Sequence, residues 1–196
     1  MICSAYNDAI ALMERGKYNK AIEEKTFNPD DMLSMIPVVY KDNYSTKGIK
    51  TTASSRILNN YVPIYNATSV EKLNAHDTII VAKASMDELA MGGTNKSAYT
   101  GPVYNPWNTT CIAGGSSGGS AAIVASGVVP FALGSDTGDS IRKPAAYCGV
   151  VGFKPTWGRI SRFGVVPYAS SLDTLGAFTR NVEDMAIVIE AMCGRD

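Results

Sequence analysis

The sequence predicts an α/β fold built on a mixed β-sheet with helices packed around it. Short apolar segments of strand length alternate along the chain with segments of helical periodicity, which is typical of this class. The chain has 196 residues, of which 45% are apolar and 18% are charged. That size and composition suit a soluble globular domain with a substantial core. Because no internal repeat or low-complexity linker divides the sequence, residues 1–196 are interpreted as belonging to a single domain.

The first half of the chain predicts three helices and two strands. Ser4 can cap a helix that ends near Gly16. An apolar run over residues 32–40 predicts a strand that delivers Lys41 to its end, and Pro37 within it indicates an edge position, because proline donates no ladder hydrogen bond. The other elements of this half are a helix over residues 68–75, a strand over residues 78–82 and a helix over residues 85–91, opened by the capping box Ser85-Met86-Asp87-Glu88.

The second half follows a long irregular stretch over residues 92–119. Small apolar residues at 120–126 predict a buried helix, and residues 128–133 predict a central strand that runs into a serine-containing loop. A helix is predicted to begin after Ser140, at the end of that loop. The last predicted elements are a strand over residues 150–153 and a helix over residues 182–192, capped by Asn181.

Charge and cysteine content exclude several classes of function. Eighteen basic residues balance eighteen acidic ones, so the net charge gives no sign of nucleic-acid or membrane-surface binding. No apolar run is long enough to span a bilayer, and the N-terminus does not resemble a signal peptide, which predicts a cytoplasmic protein. Widely spaced cysteines and a single histidine make a poor metal-binding set, so no metal site is predicted and reduced, mostly buried thiols are expected at Cys3, Cys111, Cys148 and Cys193.

Two glycine-flanked serine loops are the strongest indication of chemistry in the chain. The first is Gly114-Gly115-Ser116-Ser117-Gly118-Gly119-Ser120, and the second runs from Gly134 to Arg142 and contains Ser140. A serine on a strand-to-helix turn can present its hydroxyl beside backbone N–H groups that stabilise an oxyanion. Other interpretations are a flexible connector for the first loop and a simple helix cap for Ser140. Nucleotide binding fits poorly, because neither GxxxxGK[ST] nor GxGxxG is present.

A hydroxyl nucleophile in this chain needs a base other than histidine, because His76 is the only one. Lys41 is the candidate, and Ser116 can relay the proton from Ser140 to it. For this role the pKa of Lys41 must fall by about 3 units from ~10.4, at a cost of about 4 kcal/mol. The alternative is that Lys41 is a solvated surface charge.

These loops and the segments around them resemble the amidase signature family. Pro37-Val38-Val39-Tyr40-Lys41-Asp42-Asn43 is similar to the lysine motif of the family, and 75 residues separate Lys41 from Ser116, as in the family pattern. Within the family, the resemblance is strongest to the branch of glutaminase (A) subunits of glutamyl-tRNA(Gln) amidotransferases, and it covers nearly the whole chain. The segments that carry this closer likeness are residues 45–49, 60–63, 86–92, 105–108, 152–161 and 170–174.

The resemblance implies a role for each residue of the serine–serine–lysine set. Ser140 corresponds to the nucleophile that forms the acyl-enzyme. Ser116 corresponds to the relay serine, which in the family follows a cis peptide bond, and Lys41 corresponds to the base. The family's oxyanion hole maps onto the backbone N–H groups of Thr137, Gly138, Asp139 and Ser140.

The resemblance also implies a substrate and partners. Members of this branch hydrolyse glutamine and pass the ammonia to a B subunit, which converts Glu-tRNA(Gln) to Gln-tRNA(Gln), while a small C subunit braces the assembly. ATP and magnesium belong to the partner subunit, so no cofactor is expected in this chain, and tRNA is reached only through the B subunit. The neutral charge and the missing phosphate loop of this chain agree with that division.

Two departures from the family pattern affect these expectations. Asp139 stands where the family has glycine, immediately before Ser140, and its carboxylate opposes developing negative charge unless it turns away or meets a cation such as Arg142 or Lys143. Family members are also about twice as long, so the chain is interpreted as an N-terminal portion that holds the catalytic set without the residues that grip the amino-acid substrate. Marginal solubility is expected of such a portion, because strands meant to pair with the other half are left exposed. A stand-alone amidase of broader specificity and a non-catalytic structural remnant remain alternatives.

Overall fold

A computed structural model describes residue 28 and residues 30–194 of the chain. Its centre is a five-stranded mixed sheet, which confirms the predicted α/β class. In chain order the strands are β1 (Pro37–Lys41), β2 (Ile79–Ala84), β3 (Phe131–Asp136), β4 (Val151–Phe153) and β5 (Thr174–Thr179). The helices are α1 (Thr68–Ala75), α2 (Gly118–Ala125), α3 (Arg142–Cys148) and α4 (Val182–Met192), with short 3-10 turns at Arg56–Leu58 and Glu88–Ala90.

The strands follow the order β2-β1-β3-β5-β4. β1 pairs in parallel with both β2 and β3, whereas β5 is antiparallel to both β3 and β4. The prediction that β1 lies at an edge is therefore wrong. Pro37 is tolerated in an interior strand because it is the first residue of β1, where a missing N–H is least disruptive. Lys41 is the last residue of β1, as predicted.

Helices cover both faces of the sheet, and each face has its own core. Side chains of successive strand residues point to opposite faces, so Val38 and Tyr40 join one apolar cluster while Val39 joins the other. The first cluster packs beneath α1 and α4, and the second beneath α2 and α3. The central strands β1 and β3 are thereby enclosed on both sides, which shields their carboxyl ends from water.

Several predicted elements are shifted or replaced in the structure. β3 begins and ends three residues later than predicted, at Phe131–Asp136, and so reaches into the second serine loop. β5 was not predicted, because Gly176 weakens its strand pattern; a Cβ at this position would lie 2.0 Å from the Phe153 carbonyl oxygen. The predicted helix from Ser4 lies outside the described residues.

The two predicted helix caps have different outcomes. Asn181 caps α4, since its Oδ1 accepts a hydrogen bond of 2.7 Å from the Asp184 N–H. The predicted helix at Ser85 is wrong, and only the short Glu88–Ala90 turn forms there. The Asp87 carboxylate instead accepts hydrogen bonds from the N–H groups of Thr94 and Asn95, at 3.1 and 2.9 Å, which holds the irregular segment against the first serine loop.

Of the four cysteines expected to be mostly buried thiols, Cys3 lies outside the described residues, and burial is confirmed only for Cys148 among the other three. Cys148 is buried, Cys193 is half-buried and Cys111 is exposed, and all three are free thiols. Across residues 30–194, no helix is both long and apolar enough to cross a lipid bilayer.

Candidate active site

The parallel strands β1 and β3 bring the lysine motif and the second serine loop together. Tyr40 of β1 is in register with Leu133 of β3, so the next residues along each strand emerge at the same edge of the sheet. Lys41 and Ser135 therefore lie side by side although 94 residues separate them. Helix α2 packs against both strands and presents the first serine loop to the same point.

Lys41 is fully buried and surrounded by hydroxyl groups. Its Nζ contacts the Ser116 Oγ at 2.8 Å, the Ser135 Oγ at 2.9 Å and the Ser135 carbonyl oxygen at 3.2 Å. Burial disfavours the ammonium form and lowers the pKa of Lys41 to about 7, although nearby aspartates oppose the shift. The surface-lysine alternative is thus contradicted, and the amine is poised to exchange a proton with Ser116 near neutral pH.

Ser116 is fully buried in a loop with little room for side chains. The peptide bond between Gly115 and Ser116 is cis, as the resemblance implies. A Cβ at Gly115 would lie 2.1 Å from Oδ2 of Asp87, so glycine is required there. The Ser116 carbonyl oxygen accepts a hydrogen bond of 3.1 Å from the Asp87 N–H. The first serine loop is therefore a tightly packed segment and not a flexible connector.

Ser140 lies in the turn between β3 and α3 and is buried. Its carbonyl oxygen accepts a hydrogen bond of 3.2 Å from the Ser117 N–H, which joins the two serine loops. Ser140 does not cap α3, because the N-cap position is Ile141 and no side chain caps it locally. Within the described part of the chain, the N–H groups of Gly138, Asp139 and Ser140 donate to no backbone carbonyl.

The Asp136 carboxylate shapes the second serine loop. It accepts hydrogen bonds from the Ile141 N–H at 2.9 Å and from the Arg142 guanidinium at 3.1 Å, and it is completely buried. Burial alone raises the pKa of Asp136, but the hydrogen bonds from Arg142 and the two N–H groups outweigh it and hold the pKa below its ordinary value. An ionised Asp136 thus supports the start of α3 and the turn that carries Ser140.

Asp139 meets a cation, which is one of the two arrangements that the sequence left open for its carboxylate. Its carboxylate forms an ion pair with Lys143, four residues later in the first turn of α3. Asp139 is not among the non-glycine residues with positive φ in residues 30–194, so its Cβ introduces no left-handed strain. The departure from glycine is accommodated in both conformation and charge.

Two polar residues of this site were not assigned by sequence reasoning. The Ser135 Oγ contacts the Lys41 Nζ, and the Asn43 Nδ2 donates to the Ser135 Oγ at 3.0 Å. Asn43 is part of the lysine motif, and Ser135 is a hydroxyl at the end of β3, so their positions were visible in the sequence. Their contacts were not, because they depend on how β1 and β3 pair.

A second buried lysine lies close to the site, on the neighbouring strand β2. The Lys83 Nζ donates to the Tyr44 carbonyl oxygen at 2.6 Å and to the Thr51 Oγ1 at 2.9 Å, and lies 3.6 Å from the Asp42 carboxylate. Burial lowers the pKa of Lys83 to about 8, while Asp42 opposes the shift. These contacts anchor the segment that follows Lys41, so Lys83 has a structural explanation.

A cavity of about 230 Å³ adjoins Ser135, the hydroxyl neighbour of the lysine. Asn43 and Ser135 contribute to its wall, and Arg162 and Asp173 lie around it. Asp173 is held by N–H groups of Tyr168 and Ala169 and by the Thr137 hydroxyl at 2.5 Å. Among residues 30–194 no cluster of three or more histidine, cysteine or acidic side chains is arranged to hold a metal ion.

Comparison with known proteins places this arrangement in a defined family. The family model described as Amidase matches residues 2–196. The A subunit of the glutamyl-tRNA(Gln) amidotransferase of Pediococcus pentosaceus is 51% identical over 192 residues, which is 97% of this chain and 40% of that protein. The chain thus spans about 40% of the length of this relative.

Solved structures agree with the sequence comparison. The A subunit of the glutamyl-tRNA(Gln) amidotransferase from Thermotoga maritima matches over 83% of this chain and 36% of its own, with a TM-score of 0.82 and 51% identity. A peptide amidase from Stenotrophomonas maltophilia matches over 95% of this chain and 39% of its own, with a TM-score of 0.85 and 35% identity. The chain belongs to the amidase family.

Proposed function

We propose that this chain carries the catalytic set of an amide hydrolase that works through a covalent acyl-serine intermediate. The observation that carries the proposal is the buried Lys41 amine, whose pKa is about 7 and whose Nζ lies 2.8 Å from the Ser116 hydroxyl. A lysine in that state can serve as a base at neutral pH without a histidine. Family membership supports this chemistry.

In the proposed mechanism the Ser140 Oγ attacks the amide carbonyl carbon. Its proton passes to the Ser116 Oγ while Ser116 gives its own proton to Lys41. The resulting oxyanion is stabilised by the N–H groups at residues 138–140, together with that of Thr137. Lys41 then returns the proton through Ser116 to the leaving nitrogen, the C–N bond breaks, and water hydrolyses the Ser140 ester by the reverse proton path.

Glutamine is the proposed substrate, and the ammonia released from it is proposed to serve a partner that amidates Glu-tRNA(Gln). Relatives that are 51% identical carry the name of the A subunit of glutamyl-tRNA(Gln) amidotransferase, which supports this assignment. In this proposal the B and C subunits complete the assembly, and ATP, magnesium and tRNA bind to the partner. The balanced charge of this chain and its lack of a phosphate loop fit that division of labour, and we propose a cytoplasmic location.

A stand-alone amidase of broader specificity is the second candidate. The fold likeness to a peptide amidase, with a TM-score of 0.85 over 95% of the chain, supports this candidate. It shows that the same fold also serves an enzyme whose name gives an amide substrate other than glutamine. Both candidates use the same serine–serine–lysine set and differ only in the acyl group accepted. Comparing glutamine with other primary amides as substrates therefore separates them.

Ammonia release from glutamine, measured with and without the B and C subunits, tests the proposed function. We expect Ser140→Ala to lower the rate by at least about a thousandfold and Lys41→Ala nearly as much, since members of a catalytic set act as a unit. The acylation rate of the unmodified protein should rise with pH and level off above about 7, where Lys41 is neutral. Undiminished turnover in Ser140→Ala would refute the mechanism, and turnover of other amides but not glutamine would favour the broader amidase.

A further inference from the structure

Four charged side chains surround the turn that carries Ser140, and they form two separate ion pairs. The Asp136 carboxylate is paired with Arg142, whose Nη2 lies 3.1 Å from its Oδ1. The Asp139 carboxylate is paired with Lys143. Both cations belong to the first turn of α3, so each acidic residue of the turn is matched by a basic residue of the following helix.

The two pairs have different surroundings. Asp136 is completely buried, and its carboxylate also accepts hydrogen bonds from the N–H groups of Ile141 and Arg142. These contacts give Asp136 a structural role in the turn. The side chain of Asp139 is 46% exposed and that of Lys143 is 31% exposed. Within residues 30–194, Lys143 is the only side chain that forms an ion pair with the Asp139 carboxylate, and Arg142 acts on that carboxylate only through space. Removing Lys143 therefore leaves the carboxylate beside Ser140 without a directly paired cation.

Lys143 is also in contact with the segment around Gly93. A Cβ at Gly93 would lie 2.6 Å from its Nζ, so the ammonium packs directly over the backbone of the segment that follows Asp87. The hydrogen bond to Asp139 raises the pKa of Lys143, and Asp87 adds to this effect. Lys143 therefore stays charged at neutral pH and bridges the Ser140 turn to the neighbouring segment.

We propose that Lys143 is an electrostatic positioning residue for acylation of Ser140. It neutralises Asp139 and so keeps a negative charge away from the N–H groups of residues 138–140, where the oxyanion develops. This inference rests on the proposed role of Ser140 as the nucleophile. An unpaired like charge on the residue next to the nucleophile is expected to slow acylation by about tenfold once solvent screening is considered.

Labelling by a small alkyl fluorophosphonate measures this effect without any amide substrate. The Ser140 Oγ forms a bond to phosphorus, the P–F bond breaks, fluoride leaves and the serine proton passes to the base, while the phosphoryl oxygen occupies the oxyanion site. Mass spectrometry of the intact protein gives the rate constant. We expect Lys143→Met to lower it by about tenfold and Lys143→Arg to leave it within about twofold.

The double variant Asp139→Asn with Lys143→Met distinguishes electrostatic from structural roles. It removes both charges at nearly constant shape, so we expect labelling to return to within about threefold of the unmodified protein. A merely structural contact would make the double variant as slow as Lys143→Met or slower. Arg180→Met is the matched control, because Arg180 follows β5 at the end of the sheet opposite Asp136 and should not affect the rate.

Each result bears on the inference. Less than about a threefold loss in Lys143→Met, or no recovery in the double variant, overturns it. If Lys143→Met has a lowered melting temperature, the double variant and Lys143→Arg are compared with the unmodified protein instead. A double variant that is well folded but slow to label also overturns the inference. Labelling that does not depend on Ser140 would refute the proposed function itself, and glutamine turnover that fails while labelling succeeds would leave this inference intact.

Discussion

Lys41 is a buried lysine whose surroundings set its pKa. Every hydrogen bond of its Nζ is with a hydroxyl or carbonyl oxygen, and the carboxylates Asp136, Asp87 and Asp173 act on it only through space. Without a directly paired carboxylate, burial determines the pKa and lowers it to about 7. A direct ion pair would hold the lysine charged and make it a poor base.

This burial predicts a pH-dependent cost to folding. The pKa of Lys41 is about 7 when folded and ~10.4 when unfolded, so between these values the unfolded chain binds more protons and stability rises with pH. From pH 7 to pH 9 the contribution of Lys41 should therefore grow by about 2 kcal/mol. Urea unfolding of the unmodified protein and of Lys41→Met at both pH values measures it, since other groups cancel in the difference. A difference that does not change with pH would show that Lys41 is not buried as a neutral amine.

At the scale of elements, the strands and helices place the site by their ends. β1 and β3 deliver Lys41 and Ser135 at adjacent carboxyl ends, and α2 and α3 begin at the two serine loops. Helix starts also show how a sequence signal succeeds or fails. Asn181 accepts a hydrogen bond from the first turn of α4 and caps that helix. After Ser85, the Asp87 carboxylate instead accepts hydrogen bonds from Asn95 and Ser97, and no α-helix forms.

Asn181 and Ser85, the two predicted caps, should differ in their contribution to stability. We expect Asn181→Ala to lower the free energy of unfolding by about 1 kcal/mol, because the Asp184 N–H loses its acceptor. Ser85→Ala should cost less than about 0.5 kcal/mol, because the Ser85 hydroxyl makes only a 3.4 Å contact with Thr100. Thermal or urea unfolding measures both. Equal effects would mean that the Ser85 hydroxyl has a role that the contacts do not show.

At the scale of the whole molecule, the sheet formed within residues 30–194 has β2 and β4 as its outer strands. Phe153 at the end of β4 is 44% exposed, and the formal net charge of the chain is +0 at pH 7. An apolar edge strand on a molecule of near-zero net charge favours self-association, since unpaired backbone groups can extend the sheet and no charge opposes contact. This edge is a physical source for the marginal solubility that the sequence leads us to expect.

Placing a charge on the β4 edge should reduce that association. We expect Phe153→Lys to shift sedimentation toward the monomer at high concentration, because an edge lysine disfavours strand pairing. Tyr168→Lys is the control, since Tyr168 is 50% exposed, lies outside the strands and changes the net charge equally. Analytical ultracentrifugation compares the two. The same decrease in both variants would assign the effect to net charge and not to the edge.

The candidate residues Lys41, Ser116 and Ser140 could be named from the sequence. The glycine-flanked serine loops, the lysine motif and the single histidine are all visible in composition and spacing. The α/β class followed for the same reason, since the alternation of strands and helices is written in local periodicity. The edge position of β1 and the helix at Ser85 were wrong, because strand order and carboxylate partners depend on contacts between distant segments.

By itself, then, the sequence determined which side chains could do chemistry and in what kind of fold. Only the tertiary structure decided that Lys41 is buried with a pKa of about 7, that Ser135 and Asn43 join it, and that Lys143 neutralises Asp139. The physical reason is that a pKa depends on desolvation and on nearby charges. Both are set when folding brings together residues that lie far apart along the chain, so local sequence does not reveal them.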